Sequence, residues 1–244
     1  MENLLTIKDA AQFLNVSEMS LRRWTNAGKL KCYRVGGKKE RRFTRQELEH
    51  FLQTQEGRVP LGICGAAVED SSHIAHFYRD AAESVAAGIE FSACGLSRSE
   101  SILIVSTETK LSQILAGLEL LGFPVEKLKS EGTIVTDTGR CVFNEQVHFL
   151  AAAMADFPIK KGSRLLGDMV WAVEKGWTMD EICRLESKAN HLLHGSNKLI
   201  LCQYDLTYFG ADMAMKAFDA HTLTLYRGEI QQSPYFRGST GERP

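Results

Sequence analysis

The stretch Ser17–Arg42, S-E-M-S-L-R-R-W-T-N-A-G-K-L-K-C-Y-R-V-G-G-K-K-E-R-R, constrains the fold of this chain more than any other. Ser17 is a helix-capping residue and precedes Leu21 and Trp24, which share a helix face and can anchor it to a small core. Because successive helical residues turn by about 100°, Met19 and Arg23 point the other way, flanked by Ser20 and Arg22. That outward face is short, polar and basic. Gly28 is placed to end the helix, Lys31 to Val35 reads as a strand, Gly36-Gly37 as a turn, and Arg41 to Phe43 as the returning strand. A helix followed by a basic hairpin wing predicts a surface that reads DNA.

The neighbouring segments complete a small domain. Thr6 and Asp9 have capping-box spacing, and Ile7, Ala10, Ala11 and Leu14 then repeat at helical spacing. Asn15-Val16 supplies a tight turn into the helix capped by Ser17. Thr44 and Glu47 open a third helix with Leu48, Phe51 and Leu52 as its apolar stripe. Residues 1–54 hold 11 Lys+Arg against 6 Asp+Glu, and the remainder 18 against 24, so the net charge of −1 conceals a basic head on an acidic body. The wording T-I-K-D-A-A-Q-F-L-N-V-S-E-M-S-L-R-R-W and Y-R-V-G-G-K-K-E-R-R-F-T-R-Q-E-L resembles the winged helix-turn-helix of the MerR superfamily in its short, excisionase-like form. The resemblance implies a second helix docked in the major groove through Ser17, Met19, Ser20, Arg22 and Arg23. It also implies a wing whose Lys38, Lys39, Arg41 and Arg42 meet phosphates. Charge chemistry agrees: arginine can grip guanine edges with two hydrogen bonds, and wing cations add salt-sensitive, sequence-blind affinity.

Beyond residue 54 the rhythm changes. Residues 55–66, with Gly57, Pro60 and Gly62 and no periodicity, read as a linker. From 67 to 236 apolar strands alternate with amphipathic helices. Strands are expected at Ile74 to Tyr78, Ile102 to Val105, Thr133 to Thr136, Leu165 to Ala172, Leu199 to Tyr204 and Leu223 to Tyr226. The helices between them carry stripes such as Leu111, Ile114, Leu115 and Leu118. Such alternation argues for an α/β domain, a mainly parallel sheet covered by helices on both faces. The tail 237–244 has little to bury and is expected to be flexible. No apolar run approaches the ~20 residues that span a bilayer, and the N-terminus lacks a basic-then-apolar leader, so no membrane partner and a cytoplasmic location are expected. Six cysteines without a C-x-x-C pair fit reduced thiols.

An α/β domain invites a search for a phosphate loop, but the first strand runs into H-F-Y-R-D-A-A-E-S, without the glycines or the Lys-Ser/Thr pair such a loop needs. No G-x-G-x-x-G occurs either. Nucleotide hydrolysis and dinucleotide binding are disfavoured, and neither a catalytic residue nor a cofactor is expected. H-I-A-H-F-Y, S-E-S-I-L-I-V-S-T-E, R-L-L-G-D-M-V-W, E-S-K-A-N, L-I-L-C-Q-Y-D and A-H-T-L-T-L-Y-R-G are similar to the MEDS (methanogen/methylotroph, dichloromethane-repressor-type) sensory domain. That resemblance implies a RecA/KaiC-like α/β core lacking the phosphate-binding loop, and a small one-carbon or hydrocarbon-derived effector.

In open α/β sheets ligands usually sit beyond the carboxyl ends of the strands, which here points to Tyr78, Arg79, Ser106 to Glu108, Thr136, Asp137, Tyr204 and Asp205. Motif position adds His73, Cys202 and His221. Structural alternatives stand beside these: Tyr78 and Tyr204 as wall residues, Asp205 as a helix cap, Cys202 as a small buried hydrophobe. A metal is not expected. His73 and His76 lie on opposite faces of a strand, and His191 and His194 sit among leucines with no third ligand nearby in sequence. A Cys202, His221 and Asp205 set has nothing in the sequence to fix its geometry. The expectation is a ligand-responsive regulator that binds double-stranded DNA, senses a small molecule and acts as a homodimer, since one short helix in one groove gives modest affinity. A thiol sensor built on Cys202 or Cys94 is the alternative, and an enzyme with a DNA-targeting module ranks behind it.

Overall fold

The computed structural model describes residues 4–26, 30–37, 39–55, 58–157, 162–193 and 197–236; the side chains of residues 50, 52–55 and 192 are not described. Gly28, Lys38, His194 and the tail 237–244 therefore lie outside the described residues, as does the side chain of Leu52. The chain divides into two compact units, Met1–Arg58 and Val59–Pro244.

The first unit contains β1 (Leu5–Thr6), α1 (Ile7–Phe13), α2 (Glu18–Asn26), β2 (Tyr33–Val35), β3 (Glu40–Phe43) and α3 (Arg45–Gln55). Thr6 and Asp9 form the reciprocal capping box at the start of α1. Asn15 turns the chain with a positive φ of 53°, and the Ser17 hydroxyl accepts from the Ser20 N–H to start α2. β2 and β3 pair antiparallel around a turn in which Gly36 has φ 74°. Ala10, Ala11, Leu21, Leu30, Phe43, Leu48 and Phe51 form the core, with Trp24 packed on Phe51 at 5.1 Å between ring centroids.

The second unit contains β4 (Arg58–Pro60), β5 (Ala67–Glu69), β6 (His73–Tyr78), α4 (Ala81–Ser97), β7 (Ser101–Val105), α5 (Glu108–Leu120), α6 (Val125–Ser130), β8 (Ile134–Asp137), α7 (Phe143–Ala155), β9 (Ser163–Asp168), α8 (Val170–Glu174), α9 (Met179–Leu193), β10 (Lys198–Asp205), α10 (Ala211–Ala220), β11 (Leu223–Tyr226) and β12 (Glu229–Gln232). Seven strands form one sheet in the order β12-β11-β6-β10-β9-β7-β8. Its pairings are parallel except that of β11 with β12. Alternation sorts side chains to two faces. Leu103, Val105, Leu165, Ile200, Cys202 and Tyr204 join residues of α7, α8, α9 and α10 in one core. Ile74, Ile102, Ile104, Leu166, Leu199 and Leu201 join residues of α4, α5 and α6 in the other. This is the α/β sheet covered on both faces that the sequence implies.

Three expectations need correction. Residues 58–66 are not a bare linker, because β4 pairs with β5 and Leu61 and Ile63 are buried in the second core. The strand expected over Leu165 to Ala172 stops at Asp168, whose carboxylate accepts from the Val170 N–H at 3.0 Å and turns the chain into α8. Leu223 to Tyr226 is not the last strand. Arg227 and Gly228, both with positive φ, make a two-residue hairpin turn into β12.

One buried cation ties the first segments of this unit to its sheet. Arg164 of β9 is fully buried; its Nε donates to Glu100 at 2.5 Å, Nη1 to the carbonyls of Leu61 and Phe91, and Nη2 to the carbonyl of Pro60. Removing the guanidinium leaves the buried Glu100 with only the partly exposed Arg98 as its partner and takes away the donor that meets the Pro60 and Leu61 carbonyls. Arg164→Met is therefore expected to cost about 3–5 kcal/mol, read as a lowered urea midpoint with little change in slope.

Candidate functional site

The face of the sheet under α9 and α10 carries a buried polar knot. His73 opens β6, Cys202 and Tyr204 alternate on β10, Glu186 projects from α9, and His221 follows α10. All five are buried in an otherwise apolar core. Glu186 Oε2 lies 3.1 Å from His73 Nε2, 3.4 Å from His221 Nε2 and 3.4 Å from Cys202 Sγ, while Oε1 accepts from the Tyr204 hydroxyl. His73 Nε2 also lies 3.3 Å from Cys202 Sγ, and the imidazoles of His73 and His221 lie 3.9 Å apart between centroids, tilted by 42°.

Both imidazoles are oriented from behind. His221 Nδ1 faces the Ala217 carbonyl at 2.7 Å, and His73 Nδ1 faces Asn190 Oδ1 at 2.9 Å. Asn190 is itself fixed because its amide N–H donates to the Ala220 carbonyl at 2.9 Å. Carbonyl oxygens only accept, so both Nδ1 atoms carry a proton, and both Nε2 atoms converge on Glu186. Burial pushes the His73 imidazole down, and the neighbouring His221 adds to this. Burial alone would raise the Glu186 carboxyl, but the imidazoles of His221 and His73 outweigh it and hold it well below its usual value. Burial, reinforced by Glu186, drives the Cys202 thiol and the Tyr204 phenol well up.

A cavity of roughly 160 Å³ opens beside the knot. Its floor is Val105, Leu165, Gly167, Ile200 and Cys202; its walls are Gln146, Val147, Leu150 and Ala151 of α7 and Leu185, Glu186, Lys188, Ala189 and His191 of α9, with Met169 and Trp171 completing the lining. The surface is almost wholly apolar, yet the Gln146 side-chain N–H and the Trp171 indole N–H are buried without a hydrogen-bond partner. Gly139 has φ 81°, and a Cβ there would overlap the Trp171 ring, so this glycine is needed for the indole to seat.

Of the six residues expected to bind ligand, the structure brings together His73, Cys202, Tyr204 and His221. Tyr78 points to the opposite face, where its hydroxyl donates to Asp168 and meets Lys110, which in turn pairs with Asp168 at 2.5 Å. Asp205 closes a turn, accepting from the Thr207 N–H and hydroxyl at 2.8 and 2.6 Å. Asp137, also at a strand end, holds Arg140 at 2.7 Å. The knot lies across the sheet rather than beyond its carboxyl ends. Glu186 and Asn190 were not singled out in sequence, though they are the first and last residues of the quoted E-S-K-A-N run and lie four apart on one helix face.

On the head, Met19 is 76% exposed, Arg22 and Arg23 are exposed, and Arg22 pairs loosely with Glu18 at 3.6 Å. The Ser17 hydroxyl serves as the cap of α2 and lies 3.0 Å from that of Ser20. Lys39 is exposed in the turn. Arg41 braces the wing against α2, donating to Thr25 at 3.0 Å and Asn26 at 2.6 Å, and Arg42 pairs with Glu40 at 2.7 Å. Among the described residues no helix is long and apolar enough to cross a membrane.

A helix-turn-helix with an exposed basic face, in one chain with an α/β body that holds an apolar pocket, defines a DNA-binding regulator. Residues 72–222 match the family model described as MEDS, the MEthanogen/methylotroph, DcmR Sensory domain, and residues 4–56 match a helix-turn-helix domain. The chain is 30% identical over 239 residues to the transcriptional repressor DcmR of Methylorubrum extorquens (strain DSM 6343 / CIP 106787 / DM4), covering 90% of each. The chain belongs to the MEDS family.

His76, on the face opposite the knot, gives the body a titratable signature. Burial and the nearby Lys110 lower its imidazole from 6.5 to about 4, with Gln203 at 3.1 Å and Glu83 at 3.8 Å as its other neighbours. The folded state then resists a proton that the unfolded chain accepts, so stability falls as pH drops from about 6.5 towards about 4. Urea unfolding of wild type and His76→Gln at pH 7 and pH 5 is expected to show a smaller acid loss in the variant, by about 1–2 kcal/mol.

Proposed function

We propose that the chain is a ligand-responsive repressor whose excisionase-like, MerR-type head reads an operator as a homodimer and whose α/β body binds a small apolar effector between α7 and α9. The cavity carries this reading. A dry apolar void of roughly 150 Å³ is the size that accepts benzene or xenon, and the space here is comparable. Its almost wholly apolar lining fits a small hydrocarbon derivative better than a nucleotide or a sugar. Exposed Lys188 and His191 stand at the rim, and the buried Cys202 and Glu186 lie within. The repressing sign rests on the relative named DcmR.

On the head, Met19, Ser20, Arg22 and Arg23 are assigned to bases, with Lys38 and Lys39 on phosphates. Ser17 is assigned chiefly to capping. Arg41 and Arg42 are assigned to phosphates as well, Arg41 while bracing the wing against α2 and Arg42 while paired with Glu40. For Cys202 the thiol-sensor alternative fares worse, because burial and the Glu186 carboxylate both disfavour its reactive thiolate.

The two halves give separate expectations. Arg23→Ala should weaken binding by about 1–3 kcal/mol and relax preference at one base position, measured by fluorescence anisotropy on fragments that wild type selects from a random pool. Unchanged affinity and salt dependence would remove Arg23 from the reading face. Gly167 lines the cavity, and a Cβ there would meet Leu165 and Met169 only at ordinary contact distances of 3.6 and 3.9 Å. Gly167→Val is therefore expected to keep fold and DNA affinity while abolishing the thermal stabilisation and operator release that halogenated methanes or benzene, used as probes, produce in wild type.

A further inference from the structure

The knot around Glu186 holds an arrangement that its own hydrogen bonds do not account for. Two imidazole Nε2 atoms, a thiol and a carboxylate oxygen face one point, and these atoms all lie within 4.8 Å of one another. His221 Nε2 is buried and has no hydrogen-bond partner; its 3.4 Å approach to Glu186 becomes attractive only if a cation lies between them or a second proton enters a fully buried ring. Glu186 Oε1 is engaged by Tyr204, which leaves Oε2 directed at the shared point.

The spacings are those of a coordination sphere. Bonds of about 2.0–2.3 Å in a tetrahedron place neighbouring ligand atoms roughly 3.3–3.7 Å apart. Four of the six separations, 3.1, 3.3, 3.4 and 3.4 Å, lie in or just below that range, and the other two are no longer than 4.8 Å. Each non-sulfur ligand also has an outer partner: the Ala217 carbonyl behind His221, Asn190 behind His73, Tyr204 behind Glu186. A carbonyl or amide oxygen behind each Nδ1–H is the support that metal-bound histidines use to fix ring and tautomer.

We propose that His73 Nε2, His221 Nε2, Cys202 Sγ and Glu186 Oε2 bind a single four-coordinate divalent d-block ion of the zinc type. The mixed imidazole, thiolate and carboxylate set favours such an ion over magnesium or calcium, which want oxygen alone. On binding, the thiol proton of Cys202 leaves to solvent as the metal–sulfur bond forms, and both imidazoles coordinate as neutral bases. Three segments distant in sequence, β6, α9 with β10, and the connection from α10 to β11, are thereby fastened at one point. Cys202 and Glu186 also line the cavity, so the ion would stand at its inner wall.

The site goes beyond the effector reading and does not depend on it. Full-length protein stripped with chelator and titrated with cobalt(II) is expected to develop a thiolate-to-cobalt charge-transfer band and the intense visible bands of four-coordinate cobalt, saturating at a single ion per chain and displaced by zinc. Cys202→Ser should lose the charge-transfer band, whereas Cys64→Ser and Cys141→Ser, at exposed cysteines, should keep it. Asn190→Ala, with unchanged far-ultraviolet dichroism, should bind zinc about 10–100-fold more weakly. A wild-type protein without the band, a band that survives Cys202→Ser, or an Asn190→Ala variant with undiminished zinc affinity would overturn the proposal. None of these outcomes bears on whether benzene enters the cavity.

Discussion

A buried carboxylate must be compensated, and how Glu186 is compensated organises the body of this protein. Its partners come from β6, β10 and the end of α10, and Glu186 itself rides on α9. One turn further along α9, Asn190 reaches both His73 and the Ala220 carbonyl. Two side chains on one helix face thus fix α9 to the sheet and to the chain that leads into β11. Apolar packing on the same face would hold these elements together, but it is non-directional; the polar knot sets which residue meets which.

Much of the architecture could be read from periodicity. The alternation of apolar strands with striped helices marks the second unit as α/β, and Thr6 with Asp9 marks a helix start that the structure shows as a capping box. What escaped were elements whose signal is short or local. α6 spans only Val125–Ser130, β12 depends on an Arg227-Gly228 turn, and the end of β9 depends on a single carboxylate at Asp168.

The site was half legible, for a reason the strand period makes plain. Cys202 and Tyr204 are two apart and share a face, as do His73 and Phe77, whereas Tyr78 differs in parity and faces the other core. A rule that places ligands beyond strand ends gathers Tyr78, Asp137 and Asp205, whose carboxylates or hydroxyls are spent on local pairs and turns. Parity together with the Glu186–Asn190 helical spacing would have selected the knot. No local pattern brings His221 to His73, because that meeting depends on β11 lying beside β6. The head differs in kind: its pattern is local throughout, and only the task of Arg41, bracing α2, needed three dimensions.

The location of the cavity bears on how a sensory body can signal. A molecule shifts an equilibrium only through unequal affinity for two arrangements. If an effector matches the space already present between α7 and α9, it stabilises the arrangement seen here; a larger one must part the helices. α9 cannot move freely, because Glu186 and Asn190 bind it to β6, β10 and the residues before β11, while α7 meets the cavity through Gln146, Val147, Leu150 and Ala151 without a comparable polar tie to that knot. If the cavity is the effector site, as proposed, α7 is the wall with fewer polar ties to the knot among the described residues, and the size of the effector would bear on which arrangement it favours.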